Sequence, residues 1–183
     1  VFQKHPLLIG GDLKTIKPKS FWLNSLHSTD TGTRIYKQIM GQTSFPNPKS
    51  PYLIMDILRQ VMKDGDIILD SFAGSGTTAQ AVLALNAEDN GKRRFILIEQ
   101  EGYADTVTAE RVRRVIKGVP KAKDEKLKAG FGGTFTFYTL GDALAEENLL
   151  RGGKMPSYMD LARYVFFTST GEQLDDAQVK EKR

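Results

Sequence analysis

Apolar positions along this chain fall into short runs and helical stripes punctuated by glycine and proline. Ile67, Ile68 and Leu69 form a continuous apolar run, the pattern of a strand buried on both faces, and Asp70 ends it. Gly74 and Gly76 then supply a tight turn. Thr77 and Thr78 can cap a helix whose apolar positions are Ala79, Val82, Leu83 and Leu85. A second apolar run at 95–98 reads as another strand and ends in Glu99. Upstream, residues 34–40 predict a short helix stopped by Gly41. A further helix starts at Pro51, with Leu53, Ile57, Leu58 and Val61 on one face and Gly65 as its stop. Three prolines within 45–51 keep that segment extended.

Downstream, Tyr103 opens a helix that turns Ala104, Thr108, Val112 and Val115 to the sheet and points Arg111, Arg113, Arg114 and Lys117 elsewhere. The alternation of β-branched and aromatic residues at 134–140 predicts a strand. Tyr158, Leu161, Ala162, Val165 and Phe166 make one apolar helical face, with Tyr164 and Phe167 on another, so that helix wants partners on two sides. Residues 1–20 show no period and read as loop or weak strand. Residues 24–33 and 86–94 are polar connections, the latter with an Asn-Gly turn signal, and 175–183 form a charged, frayed end. Trp22 and His27 read as packing residues and receive no role.

A strand, a glycine turn and a helix N-terminus make a ligand-binding corner in an α/β sheet. A phosphate-binding loop would need lysine after its last glycine, and none follows Gly76. A dinucleotide fingerprint would need a third glycine where Ala79 stands. Asp70 before the turn suits a cationic or hydroxyl-bearing ligand better than a pyrophosphate. Glu99, at the end of the next strand, is placed to accept from ribose hydroxyls.

The nine residues 70–78, Asp-Ser-Phe-Ala-Gly-Ser-Gly-Thr-Thr, resemble the S-adenosylmethionine motif of amino-group DNA methyltransferases, specifically the permuted beta class. The wider chain, from about residue 21 to 172, is similar to the C-terminal part of the methylation (Mod) subunit of type III restriction-modification systems. The likeness rests also on Phe-Pro-Asn-Pro-Lys-Ser-Pro at 45–51, Phe-Ile-Leu-Ile-Glu at 95–99, Glu-Arg-Val-Arg-Arg-Val-Ile at 110–116 and the stretch 161–172. The resemblance implies a Rossmann-like S-adenosylmethionine-dependent methyltransferase fold, α/β in class, with a partial sheet and helices on both faces. It implies S-adenosylmethionine as cofactor, held by Phe45, Lys49, Asp70, Phe72, Ala73, Gly74, Ser75, Gly76, Thr77, Glu99 and Gln100. Within that set Phe45 would line the pocket, Lys49 would lie near the cofactor carboxylate and Gln100 would reach the adenine edge. It also implies double-stranded DNA as partner, a homodimer, and a restriction subunit with ATP-dependent helicase-like activity.

In this family the target base is extruded and held by an Asp-Pro-Pro-Tyr segment or close variant. No such segment occurs in the chain; Pro51-Tyr52 follows Lys49-Ser50 and is only an echo. In the permuted class the catalytic motif precedes the cofactor motif, and the chain begins at Val1. The expectation is therefore the C-terminal portion of a larger adenine-N6 methyltransferase, with cofactor-binding residues but no catalytic ones. Residues 1–44 would be a linker or the end of a recognition region, 45–141 the cofactor-binding α/β domain, and 142–183 a helical appendage. The alternatives are a non-catalytic S-adenosylmethionine-binding remnant or interaction module, a cytosine-N4 DNA methyltransferase, and a small-molecule or RNA methyltransferase.

Composition narrows little beyond this. The 183 residues include no cysteine and two histidines, which excludes disulfides and makes a metal site an unattractive reading. No apolar run is long enough for a membrane span, no signal-peptide core stands near the start, and the cytoplasm is the default compartment. The formal charge is +4, permitting a polyanionic partner without requiring one. Basic residues concentrate at 110–128, where Arg111, Arg113, Arg114, Lys117, Lys121, Lys123, Lys126 and Lys128 stand against Glu110, Asp124 and Glu125. That stretch reads equally as a phosphate-facing patch or a solvated face.

Overall fold

The computed structural model describes residues 3–5, 14–16, 23–42, 44–141 and 156–174. Trp22, the charged end at 175–183 and the rest of 1–20 lie outside the described residues. Two short strands, β1 (Gln3–His5) and β2 (Lys14–Ile16), pair antiparallel in the stretch where sequence gave only loop or weak strand. The chain divides into one unit ending at Phe137 and another beginning at Tyr138.

The first unit is α/β. Helix α1 (Thr29–Met40) starts earlier than the apolar pattern predicts, because Ser28 caps it, its side chain accepting from the Thr31 N–H. Gly41 ends it at φ 80°. The next helix, after the proline segment, is α2 (Pro51–Val61), begun by Pro51 as expected. The helix is rotated from the predicted face, however. Pro51, Met55 and Leu58 are buried, whereas Ile57 and Val61 are exposed.

Strand β3 (Ile67–Asp70) lies parallel to β4 (Arg94–Leu97), in register from Ile67↔Arg94 to Asp70↔Leu97. Parallel pairing requires a crossover, supplied by α3 (Thr77–Asp89). Every residue from Thr77 to Leu85 is buried. One side of α3 joins Ile35, Tyr36, Ile39 and Met40 of α1, and the other joins Met55 and Leu58 of α2. A helix covered around most of its circumference is a core helix. The sheet itself departs from the expectation of burial on both faces. Ile68, Phe95 and Leu97 pack inward, but Ile67, Leu69, Ile96 and Ile98 stay half exposed. Among the described residues helices therefore cover one face of this pair, not two.

After β4 the chain enters a π-helical turn, Ala104–Ala109, continued by α4 (Glu110–Lys117). A short helix, α5 (Glu125–Ala129), follows with Asp124 as its cap. The strand expected at 134–140 is not formed. No described strand lies alongside to satisfy its backbone, and the segment runs without regular pairing.

In the second unit α6 (Tyr158–Thr170) is capped by Ser157 and ended by Gly171 at φ 74°. Its apolar positions match the predicted helix, yet none is buried, and Tyr158, Tyr164, Val165 and Phe167 are exposed. The Gln173 side-chain amide donates to the Tyr138 hydroxyl at 3.1 Å.

Candidate functional site

The sequence from Asp70 to Thr78 folds into a corner closed by its own acids. Asp70, at the end of β3, accepts from the Thr78 hydroxyl at 2.6 Å and from the Phe72 N–H at 3.2 Å. Glu99, just past β4, accepts from the Gly74 N–H at 2.8 Å through one oxygen and from the Glu101 N–H at 3.0 Å through the other. The Ala73 N–H donates to the Ile98 carbonyl at 3.0 Å, tying the two strand ends together. The two acids and the glycine turn thus share one corner. A carboxylate offers about four acceptor positions, so each acid keeps capacity for a ligand hydroxyl.

The turn demands its glycines. Gly74 and Gly76 sit at φ 52° and 75°, the left-handed region. A Cβ on Gly76 would stand 2.9 Å from the Thr108 carbonyl oxygen, and one on Gly74 would stand 3.3 Å from the Phe45 ring. Gly76 is also the N-cap of α3, and no side chain caps it. The threonines therefore do not cap the helix as expected. Thr77 and Thr78 are its first two residues, both buried, and their hydroxyls bond to Arg111 and the Lys49 carbonyl and to Asp70 respectively.

The proline segment forms a second wall. Phe45 meets Tyr103 edge to face at 5.4 Å between centroids and Tyr36 at 6.2 Å. The Tyr103 phenol is held above its ordinary pKa by burial and then by the nearby Glu99 carboxylate. Pro48 and Ser50 are buried, and the Ser50 hydroxyl donates to the Leu26 carbonyl at 2.5 Å. The Lys49 carbonyl accepts from Thr77 Oγ1 at 3.4 Å, while its side chain is exposed. The structure thus brings Phe45, Lys49, Asp70, Ala73, Gly74, Ser75, Gly76, Thr77 and Glu99 around one corner. Phe72 and Gln100 lie next to it in sequence, but both side chains are exposed, Phe72 by 90%.

One residue departs sharply from its expected place. Arg111, read as pointing away from the core, is fully buried. Its Nε donates to Gln80 Oε1 at 2.9 Å, and its Nη1 to Ser75 Oγ, Thr77 Oγ1 and the Ser75 carbonyl at 2.7, 2.8 and 3.2 Å. The guanidinium also lies 5.7 Å from the Tyr36 ring centre. Burial pushes its pKa down to about 9, so it remains cationic at neutral pH. A sequence signal existed. Val107, Thr108, Arg111, Val112 and Val115 share one helical stripe, and an arginine inside an apolar stripe is a buried-charge candidate.

The basic stretch is correspondingly reduced. Arg113 pairs with Asp105 at 2.6 Å and lies over the rings of Phe135 and Phe137. Arg114 pairs with Glu110 and donates to the Ile39 and Met40 carbonyls that end α1. No cluster of metal-ligating side chains occurs among the described residues, and none of their helices is long and apolar enough to cross a membrane.

Comparison with known proteins matches residues 11–110 to a family described as DNA methylase. The chain is 35% identical over 182 residues to the type III restriction-modification enzyme EcoPI Mod subunit of Escherichia phage P1, covering 90% of this chain and 26% of that protein. It is 42% identical over 86 residues to the type II methyltransferase M.KpnI of Klebsiella pneumoniae, covering 47% and 21%. It is 34% identical over 113 residues to the StyLTI Mod subunit of Salmonella typhimurium, covering 54% and 17%. The chain therefore spans about a quarter or less of the length of these curated relatives. A family match over more than half of the chain, reaching through the corner formed by Asp70, the glycine turn and Glu99, shows that the chain belongs to the DNA methylases.

Proposed function

We propose that residues 45–141 are a Rossmann-like S-adenosylmethionine-binding domain and that the chain is the cofactor-binding portion of a site-specific adenine-N6 DNA methyltransferase of a restriction-modification system. The observation that carries this reading is the convergence of Asp70 and Glu99 on the glycine turn, with Glu99 bonded to the Gly74 N–H at 2.8 Å. The residues fit a nucleoside-bearing donor. Two glycines at positive φ fold the turn tightly between the acids, the acids retain acceptor capacity for hydroxyls, and Phe45 supplies an apolar wall.

S-adenosylmethionine would supply the activated methyl group. This chain's residues would bind and orient it and keep water from its methionine end. The chain holds no Asp-Pro-Pro-Tyr segment, so holding the target base belongs to residues other than these. In the whole protein the partners would be double-stranded DNA, a second copy and a restriction subunit; the Mod relatives are named as subunits of type III restriction-modification enzymes. With Arg111 buried and Arg113 and Arg114 ion-paired, phosphate contacts from this face fall to Lys117, Lys121, Lys123 and Lys126.

Calorimetric titration of S-adenosylmethionine into the chain tests the proposal. Saturable heat is expected, with Asp70→Ala and Glu99→Ala each weakening binding by about tenfold or more, the scale of losing a hydrogen bond to a charged group. Absence of heat in the native chain, or unchanged affinity in both variants, overturns it.

A further inference from the structure

The back of the glycine turn is held by two side chains one helical turn apart. Thr108 Oγ1, at the end of the π-helical turn, donates to the Gly74 carbonyl at 2.5 Å. Arg111, in the first turn of α4, donates to the Ser75 carbonyl and to the hydroxyls of Ser75 and Thr77. Both residues are buried.

Arg111 is an expensive way to fill this space. No carboxylate accepts from it, and its Nη2 is buried without an acceptor. Removing a cation from water without a counter-charge is costly, and an apolar side chain of similar volume would cost less. Its retained value must therefore lie in its fork of donors and its charge.

Peptide planarity says what the fork achieves. In a trans peptide the carbonyl of one residue and the N–H of the next point in opposite directions. Drawing the Gly74 and Ser75 carbonyls toward Thr108 and Arg111 turns the Ser75 and Gly76 N–H groups the other way. The Gly76 N–H closes the turn on the Ala73 carbonyl at 2.8 Å. The Ser75 N–H is thereby aimed away from α4, beside the uncapped positive end of α3.

We infer that Thr108 and Arg111 are a positioning pair: they fix the peptide planes of the glycine turn so that the Ser75 N–H and the N-terminus of α3 together receive the carboxylate of the methyl donor. The inference rests on the S-adenosylmethionine reading, and it follows from the carboxylate being the only anion that ligand carries. A helix N-terminus with a buried cation behind it is an anion-receiving arrangement. Neither side chain of the pair bonds Glu99, the acid beside the ligand's adenosine end, which holds the Gly74 N–H from the other side.

The experiment compares two probes. S-adenosylmethionine and 5′-methylthioadenosine, which lacks the amino-acid group, are titrated into the native chain and into Thr108→Val, Arg111→Lys and Arg111→Met. Arg111→Met should weaken S-adenosylmethionine by about tenfold or more and the thioether by less than about twofold. Arg111→Lys, which keeps charge but not the fork, should fall between. Equal loss of both ligands, or no loss of either, overturns the inference by making Arg111 merely structural or idle. If Arg111→Met does not fold, Thr108→Val, which removes one hydroxyl and little volume, carries the same comparison. If the native chain binds neither probe, the donor reading fails separately. The pair is then judged from amide exchange at Ser75 and Gly76 without ligand. Faster exchange there in Thr108→Val, with core amides unchanged, supports it, and native-like exchange overturns it.

Discussion

Gly32 shows how tightly single residues set the corner. It lies inside α1, where glycine is otherwise unfavourable, and a Cβ there would stand 2.1 Å from the Pro48 carbonyl oxygen and 2.9 Å from the Ser50 nitrogen. Helix and proline segment touch backbone to backbone at this point, so neither can yield by a rotamer change. Gly32→Ala should destabilise the chain by about 2–3 kcal/mol despite its better helix propensity, as overpacking does elsewhere. Thermal or urea unfolding measures it. A stability gain would mean that the proline segment is not seated on α1. Gly32 could not be read from sequence as a contact, because it stands in a polar stretch with no period. The glycines of the turn were legible, because a Gly-x-Gly after an apolar run has few other uses. Arg111 was misread because a charged residue on a helix is usually solvated, and only its apolar neighbours signalled otherwise.

At the level of elements, apolar spacing marked the helices well and their ends less well. Helix α1 gained its first turn from Ser28, a cap hidden in a Ser/Thr-rich run. Ser28→Ala should cost about 1 kcal/mol, the usual worth of such a cap, and equilibrium unfolding would detect it. A loss no larger than experimental error would show that packing alone holds that turn. The other end of α3 carries a pH-dependent contact. Arg93 hydrogen-bonds Asp89 and holds its carboxyl below the ordinary value. A lowered folded pKa adds stability that is present above the unfolded value, about 4, and lost as acidification passes through the folded value. Arg93→Met should therefore flatten the decline of stability below about pH 4, by a small amount because Asp89 is half exposed. The strand expected at 134–140 failed for another reason. Alternation specifies a face, but a strand also needs a neighbour, and periodicity cannot supply one.

The first unit is organised around α3, and its described residues leave the far side of its sheet uncovered. A parallel pair is ordinarily buried on both faces, and the apolar run 67–69 carries the composition for that. Yet Leu69 and Ile96, directly opposite in register, are 60% and 52% exposed, with Ile67 and Ile98 half exposed beside them. The sequence was legible here in what the strand is suited to, and the described residues do not provide it. Contiguous apolar surface next to strand edges that no described strand pairs favours association. The chain should therefore self-associate as its concentration rises, and sedimentation velocity would show this. The double substitution Leu69→Ser with Ile96→Ser should suppress association while leaving the thermal midpoint nearly unchanged, because neither side chain belongs to the buried core clusters. The same substitutions in a buried strand pair would each leave an apolar cavity and cost about 2–5 kcal/mol. A collapse of the midpoint would thus mean that this face is already covered within the chain. A preserved midpoint with lost association would mark this face as an apolar surface open to a partner, not part of the chain's own core.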